Sequence, residues 1–372
     1  MNQSNRIFIH KILKAIADSI ISVFIPLYIL KTTNKIELAI AYLIFYSLFV
    51  MINMFVLKKV LLHHKLFSIY IHCIPIIIAQ ALLSFCNITF LICVLTAYLM
   101  SLAQSLYYIP LNIIFASTDK KVNVTKFEIS SNIGKLIFMF ISALILSKIP
   151  NSFVILSTIS SVFYILCLIP LFNKSLFETK TLKVKHPETN KPKISIWFHI
   201  YHLSFGAFQV TIDNIIPLYL YTINASFEAV TIIIVAVELL KFCSSFLAKF
   251  FIQKKLYLTS CTISSILFLA SVILFIFIKN SIILYILTCI ISVSFPLSFN
   301  PMFALFCKKT AYNNQIENDM FTRDLYIFAS RPLYFASYFV CGSLIVCMAI
   351  GIASVVSLYI SQIKSIKSIN MP

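Results

Sequence analysis

Charged residues are scarce in this sequence: they make up only 11% of 372 residues, whereas hydrophobic residues make up 60%. Soluble domains carry about 25% charged residues, so this chain cannot cover a water-exposed surface with polar groups. The alternative solvent is lipid, in which only helices and closed barrels satisfy their own backbone hydrogen bonds. Because the apolar runs are long and do not alternate, the sequence predicts an all-α polytopic membrane protein.

Several chemical signatures are missing as well. The four glycines are scattered, and no G-x-x-x-x-G-K-[ST] loop exists, so we expect no ATP-driven transport within this chain. The ten cysteines lie mostly in or beside apolar runs, without a C-x-x-C pair or a Cys/His cluster of zinc spacing. No nucleophile–base arrangement stands out either. We therefore expect no metal site, no cofactor and no enzymatic activity.

The apolar runs are long enough for about twelve membrane spans, since each span needs roughly 20 residues. The expected spans are 10–30, 37–57, 66–87, 89–116, 127–147, 152–172, 196–221, 228–252, 257–278, 281–306, 324–343 and 345–361. A Lys-rich polar stretch at 173–193 divides the chain almost in half. This predicts an N-terminal six-helix bundle at 1–173, a basic cytoplasmic linker at 174–195 and a C-terminal six-helix bundle at 196–372.

The basic residues are distributed unevenly between the two sides of this arrangement. With both termini in the cytoplasm, most of the 30 Lys and Arg residues fall on the inner side, and only Lys31, Lys35, Lys148 and Lys279 fall outside. Such a bias is typical of inner loops. It explains the net charge of +18 without a nucleic-acid partner. The compact loops favour a multi-pass protein of the cell's inner (plasma) membrane, in contact with the lipid bilayer.

Short motifs recur in order in the two halves. IPLY occupies 25–28 and again 216–219, NKIELA at 34–39 matches NASFEA at 224–229, and LNIIFA at 111–116 matches FNPMFA at 299–304. Each match alone is weak, but together they indicate an internal duplication. Both halves begin on the same side, so the two copies are related by an axis along the membrane normal. Pro26 and Pro217 are expected to bend or end the first and seventh spans.

This pattern resembles the major facilitator superfamily (MFS). The resemblance rests on the paired IPLY motifs, the basic loops after spans two and eight, and acidic-x6-basic pairs in spans five and eleven. One departure is that the loop VLKKVLLHHKLF lacks the Gly and Asp that many members carry there. The resemblance implies a secondary active transporter that moves a small-molecule substrate by alternating access, with a proton as coupling ion.

Ionisable residues within spans are costly in lipid and usually face a cavity or a partner. Asp18 and Ser22 on the first span align with Gln209 and Asp213 on the seventh, and both pairs have i,i+4 spacing. We expect these side chains to bind substrate or a proton; a local ion pair of Asp18 with Lys14 is the alternative. The other candidates for this site are Gln104, Tyr108 and Asn112 on one face of span four, and Glu238 and Lys241 on span eight. Glu238 and Lys241 could instead form a self-neutralised pair.

A second set of charges follows the repeat. Glu128 precedes Lys135 by seven residues, and Asp324 precedes Arg331 by seven. Seven residues are two helical turns, about 10 Å, so the members of a pair do not touch. We expect these residues to form ion pairs between the halves that close the cytoplasmic side; substrate binding, for which Arg331 is the better anion ligand, is the alternative.

The sequence does not identify the substrate. Carboxylates combined with aromatic residues favour efflux of a small amphipathic compound. A polysaccharide-lipid flippase is an alternative and would predict a broad cationic cleft. A membrane glycan polymerase is a further alternative, but it needs a large outer loop bearing Arg or His, and the outer loops here are short.

Overall fold

The computed structural model describes residues 3–118, 124–149, 151–171, 195–223, 226–313 and 316–369. Within them the chain forms twelve long helices, three of which are interrupted by a short irregular segment. The helices are α1 (Gln3–Ile21 and Ile25–Thr33), α2 (Ile36–Val56), α3 (Lys65–Ile71 and Cys73–Phe85), α4 (Phe90–Thr118), α5 (Val124–Lys148), α6 (Ser152–Leu166), α7 (Ile196–Val210 and Ile216–Thr222), α8 (Phe227–Gln253), α9 (Tyr257–Phe277), α10 (Ser281–Asn313), α11 (Ile316–Cys341) and α12 (Leu344–Ile369).

The packing of these helices repeats with a shift of six. In the first half α1 packs on α5 and α6, α2 packs on α4, and α3 packs on α4 and α6. The second half has the same contacts, with α7 on α11 and α12, α8 on α10, and α9 on α10 and α12. The two halves meet where α2 packs on α11 and α5 packs on α8. These two contacts are also equivalent, because α2 corresponds to α8 and α5 corresponds to α11. The expected linker at 174–195 lies almost wholly outside the described residues.

The two ends of the molecule differ in charge. We call the basic end the one that holds the α2–α3 and α8–α9 connections, with Lys58, Lys59, Lys254 and Lys255. The opposite end holds the α1–α2 and α5–α6 connections. Between them, nine helices within the described residues are long and apolar enough to cross a membrane. The remaining helices, α5, α7 and α11, carry Lys135, Asp213 and the pair Asp324 and Arg331, so their polarity belongs to residues expected at a functional site.

Helices α1 and α7 are interrupted at equivalent positions. A 3-10 turn at Ser22–Phe24 interrupts α1, and a π-helical turn at Thr211–Ile215 interrupts α7, each directly before the IPLY motif. Proline has no N–H, and its ring collides with the carbonyl four residues earlier. For Pro26 and Pro217 those carbonyls belong to Ser22 and Asp213. Each proline therefore bends its helix beside a candidate binding residue and does not end it.

Glycine is rare but lies at tight helix contacts. A Cβ added to Gly206 of α7 would overlap the backbone oxygen of Ile327 on α11. Only glycine permits this close approach, as at small-residue contacts in other membrane bundles. Gly342 adopts a φ of +65° in the turn that separates α11 from α12.

Candidate binding cavity between the two halves

A cavity of about 660 Å³ lies between the two halves. Small-molecule sites commonly have volumes of about 300–1,000 Å³, so this cavity has the size of a site for a small organic solute. All but one of the candidates chosen from the sequence line it. These are Asp18, Ser22, Gln104, Tyr108, Asn112, Lys135, Gln209, Asp213, Glu238, Lys241, Asp324 and Arg331. The exception, Glu128, lies outside the residues whose side chains are described.

Lys241 of α8 is the centre of a charged cluster in the second half. Its Nζ donates to Asp213 Oδ1 at 2.5 Å and to Glu238 Oε1 at 2.7 Å. The other oxygen of Glu238 accepts a hydrogen bond from Lys135 of α5, which belongs to the first half. Two lysines thus neutralise two carboxylates, and one of these ion pairs joins the halves. The contact between Glu238 and Lys241 has the i,i+3 geometry that their spacing predicts.

The same cluster continues through Gln209 to Arg331. Gln209 Nε2 donates to Asp213 Oδ2 at 3.2 Å, and Arg331 Nη2 donates to Gln209 Oε1 at 2.7 Å. The guanidinium carbon of Arg331 lies 4.2 Å from the centre of the Phe328 ring. A continuous series of polar contacts therefore runs from α5 through α8 and α7 to α11. The π-helical turn in α7 holds Asp213 within this series.

Asp18 forms the corresponding cluster in the first half. Its carboxylate accepts from Lys14 Nζ at 2.5 Å, from Tyr164 OH at 2.6 Å and from Tyr108 OH at 3.4 Å. Ser22 Oγ lies 3.2 Å from the Tyr164 hydroxyl. The local pair with Lys14 that the spacing allowed is thus present, together with two tyrosine donors from other helices. Both carboxylates that the repeat singled out are therefore held by a lysine and face the same cavity.

The contacts near the basic end differ from the expected pattern. Asp324 does pair with an arginine, but this is its neighbour Arg323, whose Nε and Nη2 lie 2.8 and 2.5 Å from Asp324 Oδ1. Asn112 Nδ2 of the first half donates to Asp324 Oδ2 at 3.2 Å. The hydrogen bond of Arg331 lies within its own half, to Gln209 of α7. Of the expected gating residues with described side chains, Lys135 and Asp324 contact the other half, and their gating role stays a prediction.

The halves also touch at the opposite end. Lys148 Nζ of α5 lies 2.9 Å from Glu228 Oε1 of α8. Lys31 Nζ, after the IPLY motif of α1, lies 3.9 Å from the centre of the Phe227 ring. Contacts between the halves thus occur at the basic end, beside the cavity and at the opposite end.

Comparison with solved structures finds the same architecture in known transporters. A bacterial homologue of the iron transporter ferroportin, in an outward-facing state with soaked iron, superposes with a TM-score of 0.72 at 12% identity, covering 98% of this chain and 99% of that chain. The nucleoside transporter NupG superposes with a TM-score of 0.72 at 14% identity, covering 99% and 100%. The fucose:proton symporter FucP of E. coli gives 0.62 at 13%, covering 97% and 98%.

This chain has the MFS fold. At these identities the likeness establishes the fold and not the substrate, and neither a family model nor a curated protein of related sequence matches the chain. The predicted fold class, an all-α membrane protein with about twelve helices in an MFS-like parallel repeat, is confirmed.

Sequence reasoning missed two residues that hold carboxylates of this cavity. Arg323 was counted among the loop charges, although its position directly before Asp324 could have indicated a pair. Tyr164 is fully buried on α6 and donates to Asp18, yet nothing in its sequence neighbourhood distinguishes it from the other 17 tyrosines. Its role depends on how α6 packs against α1, which a single sequence does not encode visibly.

Proposed function

We propose that this protein is a secondary active transporter that moves a small solute by alternating access. The observation that carries the proposal is the cavity between the halves, lined from both sides by polar side chains and bordered by the ion pair between Lys135 and Glu238. An ion pair across an interface can form in one arrangement of the halves and break in another. Rocking of the two halves would expose the cavity to each side of the membrane in turn.

A proton is the proposed coupling ion. The side chains of Asp18 and Asp213 are 22% and 29% exposed, so water in the cavity can reach both. Protonation would remove the charge that holds each carboxylate to its lysine, Lys14 or Lys241. In the second half this would loosen the series of contacts that reaches Lys135 and the interface. The similar solved structure of FucP, a fucose:proton symporter, supports this proposal.

The orientation follows from the distribution of lysine. We propose that the basic end faces the cytoplasm, with both termini on that side of an inner (plasma) membrane. Residues 1–173 and 196–372 would then be the two moving bundles, joined by the cytoplasmic linker at 174–195. Phe295 and Phe299 line the same cavity as the carboxylates. This combination supports export of a small amphipathic compound.

The test is accumulation of solute in proteoliposomes. Vesicles containing the full chain are mixed with the low-molecular-weight fraction of a cell extract, with and without a pH gradient of either sign. Trapped solutes are identified by mass spectrometry. We expect at least one solute to accumulate above the level in protein-free vesicles, and only while the gradient lasts.

Matched variants separate coupling from transport. Asp18→Asn and Asp213→Asn keep the shape of the carboxylate and remove its titration, and Glu37→Gln outside the cavity serves as the control. We expect exchange without a gradient to survive in the two Asp variants while accumulation is lost. If no solute accumulates, the transport proposal is wrong; if both variants still respond to the gradient, the coupling proposal is wrong.

A further inference from the structure

The cavity carries an excess of positive charge. Six basic and four acidic residues line it. The basic residues are Lys11, Lys14, Lys135, Lys241, Arg323 and Arg331, and the acidic ones are Asp18, Asp213, Glu238 and Asp324. Carboxylates could bind a cationic solute and basic groups an anionic one. Which of them is free to do so depends on which charged side chains already form ion pairs with each other.

Every carboxylate of the cavity is already neutralised. Lys14 pairs with Asp18, Arg323 pairs with Asp324, and two lysines share Asp213 and Glu238. Arg331 also lines the cavity, and it has no carboxylate within ion-pair distance among the described residues. Its partners there are the amide oxygen of Gln209 and the face of Phe328.

The guanidinium of Arg331 also retains unused binding capacity. Its Nε is buried without a hydrogen-bond partner among the described residues, although Nη2 is bound to Gln209. A partly buried cation without an ion-pair partner is costly, and so is a buried donor without an acceptor. A guanidinium offers donors in a planar fork that matches the oxygens of a carboxylate or phosphate. An anion entering the cavity would satisfy both deficits at once.

We infer that the solute is an organic anion whose carboxylate or phosphate group is bound by Arg331. This inference rests on the proposed function and names the substrate class of the same cavity. Gln209 is a positioning residue, because its hydrogen bond orients the guanidinium and links it to Asp213. Phe295, Phe299 and Phe328 provide aromatic surface in the same cavity for the apolar part of the solute.

The test measures binding and does not require transport. The purified full chain in neutral detergent is heated with phenyl phosphate, phenylacetate, phenylacetamide or phenethylamine at equal ionic strength. The first two carry the proposed anionic groups on the same aromatic body, and the last two replace them by a neutral amide and by a cation. We expect one or both anions to raise the melting temperature in proportion to their concentration. The comparison of phenyl phosphate with phenylacetate distinguishes the two anionic groups.

Variants locate the binding group. Arg331→Gln is expected to lose the shift, and Arg331→Lys, which keeps the charge but loses the fork, to weaken the affinity roughly tenfold or more. Lys364→Gln changes the net charge equally at a site away from the cavity and is expected to keep the shift. Should Arg331→Gln fail to fold, Arg331→Lys still tests the assignment.

Three outcomes overturn the inference. They are stabilisation by phenethylamine without stabilisation by either anion, no shift with any of the four compounds, and an unchanged shift in both Arg331 variants. Failure of the proposed transport function can be distinguished from failure of this inference. If the anions bind through Arg331 but no solute accumulates in the proteoliposome experiment described above, the anion site stands and the transport proposal falls.

Discussion

Lys135 of α5 and Glu238 of α8 form an ion pair that crosses the interface between the two halves. Glu238 is also bound to Lys241, which in turn holds Asp213. A change of charge in the cavity can therefore reach the interface through three side chains of the second half. The site and the contact between the halves are parts of one network.

Loss of the charge at Lys135 is expected to weaken this interface. Glu238 keeps Lys241 in the Lys135→Met variant, so it loses one charge-assisted hydrogen bond, worth about 1.5–3 kcal/mol. We expect a lower melting temperature and faster hydrogen exchange in α5 and α8. Lys135→Arg should retain the pair, and Lys279→Met, at an exposed site, should behave like the wild type. Wild-type exchange in Lys135→Met would show that the pair does not hold the halves together.

The π-helical turn at Asp213 depends on Pro217. In Pro217→Ala the backbone N–H returns and can bond to the carbonyl of Asp213, which favours a regular helix. One additional net hydrogen bond contributes about 1 kcal/mol, so exchange at 213–217 should slow by roughly fivefold. Straightening would move Asp213 relative to Lys241, and accumulation of solute should fall.

Pro301→Ala is the matched control for that variant, because Pro301 also lies inside a helix but does not line the cavity. It should leave accumulation unchanged. Equal effects of the two substitutions on accumulation would mean that the turn at Asp213 has no special role.

Gly206 allows α7 and α11 to approach closely. The added methyl group of Gly206→Ala would overlap the carbonyl oxygen of Ile327, which is backbone and cannot rotate away. Overpacking of this kind costs about 1–3 kcal/mol, and we expect a correspondingly lower melting temperature in detergent. Gly134→Ala is the control, because its neighbour is the movable end of the Ile16 side chain at 3.1 Å. A larger loss in the control would contradict the packing at Gly206.

Asp319, near the start of α11 and before the predicted span, provides a test by pH. Burial raises the pKa of its carboxyl to about 6, and one of its oxygens has no hydrogen-bond partner among the described residues. The folded state therefore favours the protonated form. This contribution to stability is complete below the unfolded pKa of about 3.9 and is lost as the pH rises through the folded value.

The melting temperature of the wild type should accordingly fall between about pH 4 and pH 7 relative to that of Asp319→Asn. The asparagine does not titrate, so the difference between the two proteins isolates this one group. Parallel curves for the two proteins over this range would contradict the raised pKa.

The sequence predicted the fold well because hydrophobicity and charge placement report on it directly. Long apolar runs located the helices, and the repeated IPLY aligned Asp18 with Gln209 and so pointed to the cavity. The ion-pair and hydrogen-bond partners of the charged residues were harder to predict. Asp324 was expected to form an ion pair with the other half, but its ion pair is with Arg323, its neighbour on α11. Arg331 has an amide as its partner, and this choice depends on the rotation of α11 against α7, which Gly206 permits and which no periodicity records.

Alternating access makes one demand that can be measured without knowing the solute: closing one end must open the other. Lys148→His with Glu228→His, bridged by Zn²⁺, would hold the opposite end closed, and Asn112→His with Asp324→His would hold the basic end closed. Hydrogen exchange measured by mass spectrometry then reports on the distant end, with the wild type plus Zn²⁺ as control.

We expect the first bridge to increase exchange at 105–112 and 320–328 and the second to increase it at 144–148 and 227–233. Unchanged exchange at the distant end with both bridges, or slower exchange there, would contradict alternating access.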